Sequence, residues 1–454
     1  MKLKFVHLLL FFTLIVEAQP KTFFSAGERV CFVGNSITSN AEFYHDILLF
    51  HLTRFPQQSL SFFNCGISGN VTQDLINRLD DDILIHNPTS VVIMIGMNDV
   101  KRELYGQNTT SNADTLRLRE QAIALYKFNL KKIVNLFLLK NIKVILQKPS
   151  IYDQTAILPK PNNLGVNDAL KTCADFVDAL GEKYKMPTVD YWTIMAHLNL
   201  KMQKANPSAT LIGGDRVHPG PVGHLVMAYQ FLKTEKAPQY VSKIVITKNK
   251  TKSASKSENC EITSASIENK KATFTVKEGS LPFPIVKTQV EALALIPFVD
   301  ELNVELLQVK GLIAGNYKLR IEGELIGSFS NKQLNEGINL ANKTTTPQYK
   351  QAMKVRDVLW ELREVVAKSR TLKFIEYNAD FKRCPNKTDL SFVEVYMDSV
   401  FSTKQYTNPY YKLQLKNYLI YKPKEKELEN SANLLRENAK QLVQPTVHTY
   451  TIEP

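Results

Sequence analysis

Between Glu28 and about Lys236, short unbroken apolar runs alternate with longer stretches whose apolar positions recur at helical spacing. The runs Arg29–Val33, Leu60–Asn64, Ser90–Ile95, Lys143–Gln147 and Thr188–Val189 are short and rich in Val, Ile and Phe, the pattern of buried strands. The stretches between them, Glu42–Leu52, Thr72–Asp82, Leu116–Leu139 and Asn167–Tyr184, predict helices. Strand and helix in strict alternation predict an α/β fold with a doubly wound parallel sheet. Its crossovers are right-handed, so the loops that follow the strands gather on one edge, where ligands of such sheets bind.

After Lys236 the pattern changes. The segment VITKNKTKSASKSENC is rich in lysine and serine and predicts a solvated linker or loop-strand junction. Beyond it IENKKATFTVKEG, NVELLQVKGL and AGNYKLRIEGELIGSFS predict short strands. The last of these predicts a hairpin, with Tyr317, Leu319 and Ile321 alternating before a turn near Glu322-Gly323. PQYKQAMKVRDVLWELREVVAKSR predicts one long helix, on which Met353, Val358, Leu362 and Val366 recur at helical spacing, and further helices reach about Leu442. The chain thus divides into an α/β unit over residues 19–240 and an α+β extension over 241–454. The extension is expected to pack on the first unit rather than stand alone, because its strands are few and its helices from Pro347 onward need a partner for their apolar faces.

Residues 1–18 read as a signal peptide: two lysines, an apolar stretch from Phe5 to Val16, then a small-residue ending at Ala18. The stretch is too short for a membrane span and no later segment reaches that length, so the mature protein is expected to be secreted or periplasmic, with no integral membrane part. A content of 44% apolar and 22% charged residues suits an ordinary globular protein. The 57 basic and 44 acidic residues give a net charge of +13 without a concentrated basic arm or a basic stripe interleaved with aromatics, so no nucleic-acid partner is expected. The five cysteines, Cys31, Cys65, Cys173, Cys260 and Cys384, form no C-x-x-C pair, and neither a disulfide framework nor a zinc site is expected. Glycosylation sequons stand at Asn70, Asn108, Asn249, Asn342 and Asn386.

Four fragments carry candidate chemistry. In VCFVGNSITSN the first strand runs through Gly34 into Asn35 and Ser36, and Ser36 is either a nucleophile at a strand end or, with Asn35, a helix cap. NCGISGNVT follows the second strand and VVIMIGMNDV ends the third, while GGDRVHPGPVGH places Asp215 three residues before His218, which Pro219 biases toward an extended backbone. Each has a plain reading as a turn, a cap or a surface pair. Together they hold every part of a serine esterase: a nucleophile, a base, a carboxylate to orient the base and donors for an oxyanion.

In these blocks residues 28–236 resemble the SGNH, or GDSL-like, hydrolase superfamily. GNSIT is similar to its first block, with Ser36 as nucleophile; GISGN to its second, whose glycine, here Gly69, donates a backbone N–H to the oxyanion. GMND is similar to the third, whose asparagine, here Asn98, donates a side-chain N–H, and DRVHP to the fifth, with Asp215 and His218 completing the triad. The Ser36 N–H is the remaining oxyanion donor that the resemblance implies. Asn35 stands where the family usually has Asp, and the fourth block, near KVILQKPSIYD, yields no site residue. Asp99 and Asp190 read as structural. Residues 262–345 are also similar to a C-terminal segment attached to some bacterial members, through LPFPI, GLIAGNYKLRIEGELIGSFS and LNEGINLA.

The resemblance implies a five-stranded, flavodoxin-like sheet and a serine esterase that needs no metal or organic cofactor. Its expected substrate is a short-chain, chiefly acetyl, ester on a carbohydrate. A lipid esterase, lysophospholipase or thioesterase is the alternative among enzymes, and a non-catalytic glycan-binding protein on the same scaffold is the alternative outside them. Retention of both Ser36 and His218 counts against the last.

Overall fold

The computed structural model describes residues 22–106, 112–248, 253–268, 270–403 and 408–454; the segment read as a signal peptide and the sequons at Asn108 and Asn249 lie outside them. Arg29–Gly34 (β1), Ser61–Gly66 (β2), Ser90–Met94 (β3), Lys143–Gln147 (β4) and Thr188–Val189 (β5) form one wholly parallel sheet in the order β2-β1-β3-β4-β5. Its helices are Ser36–Asn40 (α1), Glu42–Arg54 (α2), Thr72–Asn77 (α3), Ala113–Leu139 (α4), Val166–Tyr184 (α5), Tyr191–Gln203 (α6) and Pro221–Thr234 (α7). This is the doubly wound α/β fold that the alternating pattern predicts. The central strands are apolar because both faces are covered: Val30 to Val33 and Val91 to Met94 are buried without a break. The strand order reverses between β1 and β3, and the crevice past their carboxyl ends is where such a sheet presents a site.

One predicted helix is broken. Over Thr72–Asp82, α3 stops at Asn77 and Leu79–Ile83 winds into a π turn. The wider turn carries the Asp82 carboxylate into the interior beside Arg78.

The extension comprises Tyr240–Lys248 (β6), Ser253–Glu258 (β7), Cys260–Glu268 (β8), Lys271–Glu278 (β9), Phe298–Leu302 (α8), Val304–Lys310 (β10), Asn316–Ile321 (β11), Glu324–Ser330 (β12), Asn331–Glu336 (α9) and Ile338–Asn339 (β13). It continues through Pro347–Glu376 (α10), Ala379–Lys382 (α11), Leu390–Phe401 (α12), Tyr410–Tyr421 (α13) and Glu425–Leu442 (α14) to Val447–Glu453 (β14). The strands make two sheets, β13-β10-β6-β7 and β12-β11-β14-β9-β8, which share a core of Ile244, Ile246, Leu307 and Val309 with Phe274, Leu319, Ile321 and Tyr450. The β11–β12 hairpin turns at Glu322-Gly323 as its pattern predicts.

The lysine- and serine-rich segment is not a linker. Most of it forms β6 and β7, paired antiparallel from Lys243↔Glu258 to Lys248↔Ser253. Ile244 and Ile246 alternate into the core, while Ser255 to Glu258 lie exposed on the outermost strand, where charge discourages pairing with another chain. Nor are the strands of the extension few, and they hold a core of their own.

The helices do lean on the first unit. Val355, Leu359 and Leu362 of α10 and Ala432, Leu435 and Ala439 of α14 join the same apolar cluster as the parallel sheet. The buried stripe of α10 runs through Ala352, Val355, Leu359 and Leu362, so Leu362 faces inward as its spacing predicts while Met353, Val358 and Val366 lie at its margins. Polar ties also join the extension to the first unit: the Arg54 guanidinium donates to the Leu302 carbonyl at 2.8 Å, and Ser280 Oγ donates to the Arg54 carbonyl at 2.7 Å. All five cysteines are free.

Candidate active site

Where β1 ends, the two readings of Asn35-Ser36 separate. Asn35 is the cap of α1, its Oδ1 accepting from the Ile37 N–H at 3.1 Å. Ser36 is therefore released from capping and begins the helix with its hydroxyl free to turn outward. Gly34 makes this sharp entry possible: a Cβ there would lie 2.3 Å from Thr38 Oγ1 and 2.4 Å from the Met94 carbonyl oxygen. An amide at position 35 caps as well as the carboxylate usual in the family, which accounts locally for the departure.

His218 arrives from the far end of the unit, on the loop before α7. Its Nε2 lies 2.7 Å from Ser36 Oγ and its Nδ1 lies 2.5 Å from Asp215 Oδ2. The other Asp215 oxygen, Oδ1, accepts the backbone N–H groups of Val217 at 2.9 Å and His218 at 3.0 Å, so one carboxylate shapes the loop and orients the ring. Partial burial would raise the Asp215 pKa, but these three bonds and the imidazole beside it hold the carboxyl well below the usual carboxylate range. Arg216, between them, is buried and donates to the carbonyls of Lys160, Asp153 and Ala156 at 2.8 to 3.0 Å. It pins the loop from beneath. In the sequence nothing separates it from an exposed arginine.

The remaining predicted residues flank Ser36. Gly69 sits in the loop after β2 with φ +82, a backbone that L side chains rarely adopt, and it is exposed. Asn98 follows β3. Its Nδ2 donates to the Asn70 carbonyl at 3.0 Å and its Oδ1 accepts from Arg102 Nη1 at 2.8 Å, which fixes the amide's orientation and leaves its second N–H to be offered elsewhere. Arg102 also donates to the Met97 carbonyl at 2.8 Å. It is a second arginine that sequence reasoning does not single out.

Asp99 and Asp190 bond away from Ser36, His218 and Asp215. Asp99 Oδ1 accepts from the Thr72 N–H and hydroxyl at 2.8 and 2.6 Å, tying the start of α3 to the end of β3, and burial pushes its pKa up to about 6. Asp190 caps α6 and pairs with Lys148 at 2.6 Å. The Asn70 sequon is engaged too: its side chain is buried and accepts from Arg78 at 2.8 Å. Among the described residues no three His, Cys, Asp or Glu side chains cluster as a metal site would need, and no helix is long and apolar enough to cross a membrane.

Residues 32–226 match the model of the GDSL-like Lipase/Acylhydrolase family. An acetylxylan esterase from Geobacillus stearothermophilus is 25% identical over 229 residues, 46% of this chain and 94% of that protein. Among solved structures, a gut microbial diltiazem-metabolizing enzyme is 29% identical with a TM-score of 0.85, over 96% of this chain and 99% of its own. A crystal structure of the Geobacillus stearothermophilus acetylxylan esterase matches at 23% identity and a TM-score of 0.38, over 46% of this chain and 94% of that one.

Proposed function

The chain carries a GDSL-like lipase/acylhydrolase domain of the SGNH hydrolase superfamily and is an ester-hydrolysing enzyme; on that premise we propose that it removes acetyl groups from carbohydrates through an acyl-enzyme on Ser36. The observation that carries the reading is His218, whose two ring nitrogens reach Ser36 Oγ and Asp215 Oδ2 at once. In this scheme His218 Nε2 takes the Ser36 proton as Oγ attacks the ester carbonyl, and Asp215 holds the imidazole and stabilises its charged form. The backbone N–H groups of Ser36 and Gly69 and the Asn98 amide receive the oxyanion, each such donor being worth about 3 kcal/mol of barrier. The protonated His218 then passes its proton to the leaving alcohol. Water, deprotonated by the same nitrogen, frees the acetate.

Exposure of the site favours a bulky, polar alcohol part. The His218 and Asp215 side chains are 42% and 48% exposed, as suits an ester presented on a polymer, whereas a long acyl chain calls for an apolar channel. The acetylxylan esterase relative points the same way. An exported enzyme, as the reading of residues 1–18 has it, would meet such polymers outside the cell.

A panel of p-nitrophenyl esters from acetate to palmitate, run beside acetylated polysaccharides and diltiazem, tests this. The expected result is the highest kcat/KM on acetate, with acetate released from polysaccharide. Faster turnover of octanoate or longer esters would favour a lipid esterase instead.

A further inference from the structure

Asp82, buried on the π turn behind the loop that carries Gly69, is shared by two arginines from different parts of the chain. Arg370, from α10 of the extension, meets it bidentately at 2.7 and 2.9 Å and donates through Nε to the Gly66 carbonyl at 3.0 Å. Arg78, on the other side, pairs with Asp82 and donates to the carbonyls of Cys65 at 2.7 Å and Gly34 at 3.2 Å and to Asn70 Oδ1 at 2.8 Å. All three side chains are buried, and burial alone would raise the Asp82 pKa; the two guanidiniums instead hold the carboxylate firmly ionised.

The bonds of this cluster end on residues close in the chain to Ser36 and Gly69, or bonded to Asn98. Gly34 is two residues before Ser36; Gly66 and Asn70 bracket Gly69; and the Asn70 carbonyl is what the Asn98 amide holds. The same helix and its neighbour touch this rim twice more. Arg363 donates to the Asn40 carbonyl at 2.7 Å, at the end of α1, and the Tyr410 hydroxyl lies 3.4 Å from Ser68 Oγ.

We propose that Arg370 is a positioning residue for the oxyanion hole, so that the C-terminal extension completes the active site although the family match stops at residue 226. The proposal rests on the Ser36 reading above. Without Arg370 the Gly66 carbonyl loses its donor and Asp82 keeps only Arg78, so the loop bearing Gly69 and Asn70 relaxes. Donors preorganised around a developing charge lose much of their effect when displaced by an ångström or less.

The test uses the full chain and p-nitrophenyl acetate, comparing wild type with Arg370→Met, Arg370→Lys, Asn98→Ala and the Asn98→Ala/Arg370→Met double variant, each with its melting temperature. The expected result for Arg370→Met is a kcat lower by about 10- to 100-fold with KM within about twofold. Arg370→Lys, which keeps the charge but not the fork, falls between. The double variant loses clearly less than the product of the single losses, because both changes act on one hole. An unchanged kcat in Arg370→Met, or losses that multiply, would overturn the proposal. If Arg370→Met does not fold, Arg370→Lys decides alone: reduced kcat at an unchanged melting temperature supports the assignment, and unchanged kcat overturns it. An Asn98→Ala variant of full activity would instead overturn the oxyanion-hole reading beneath it.

Discussion

His218 and Ser36 stand 182 positions apart in the chain and 2.7 Å apart at the ends of their side chains. Two local devices create that meeting: Asn35 takes over the capping of α1 so that Ser36 is spare, and Arg216 pins the loop from which His218 projects. Ser36→Ala and His218→Ala are each expected to lower kcat by about 10³-fold or more, with the fold intact. Asp215→Asn loses less than either, since an amide oxygen still accepts the Val217 and His218 N–H bonds that form the loop. Initial rates on p-nitrophenyl acetate, with circular dichroism to check folding, measure all three.

A second histidine, His224, adds to the loss of stability in acid, as the equally buried His45 does. His224, on α7, is buried against Phe43, and burial pushes its pKa down to about 3, with nearby positive charge adding to the effect. Because the folded-state pKa is lowered, the unfolded chain binds a proton below pH 6.5 that the folded chain refuses. Stability contributed by the neutral ring is present above 6.5 and drains away on acidification toward 3, at about 1.4 kcal/mol per pH unit. His224→Phe removes that proton. Urea melts at pH 7 and pH 5 are expected to show a smaller loss of stability in the variant than in the wild type, and equal losses would contradict the assignment.

Residues 19–240 expressed without the extension are expected to be poorly soluble or to melt at a much lower temperature. Removing the extension bares the part of the core now covered by Val355, Leu359, Leu362 and Ala439, and takes the Leu302 carbonyl from Arg54 and Arg370 from Asp82. Differential scanning fluorimetry beside the full chain decides it, and a soluble fragment with a cooperative melt and unchanged kinetics would mark the extension as a passenger.

The parallel sheet was legible because burial on both faces forces unbroken apolar runs, and the meeting of Ser36, His218 and Asp215 because the resemblance places each at a strand end or before the last helix of the α/β unit. What lay hidden was hidden for physical reasons. α1 is five residues long, too short for any periodicity to register. β6 and β7 carry the lysines and serines of an outermost hairpin, which from composition alone read as linker. β14 is the last segment of the chain, yet it lies between β9 and β11, a long-range pairing that no local pattern announces. Arg216 and Arg370 act through carbonyls and a carboxylate contributed from elsewhere in the fold, and Arg102 through a carbonyl and an amide in the turn before it. A lone arginine in a sequence looks like solvated surface, and only the assembled structure shows what its guanidinium holds.

The most direct measurement is covalent labelling of the active enzyme with a fluorophosphonate, followed by peptide mapping. The account predicts a single modified residue, Ser36, in step with loss of activity, and no labelling once His218 is replaced by alanine. Label on any other serine, or an active preparation that takes up none, would contradict it.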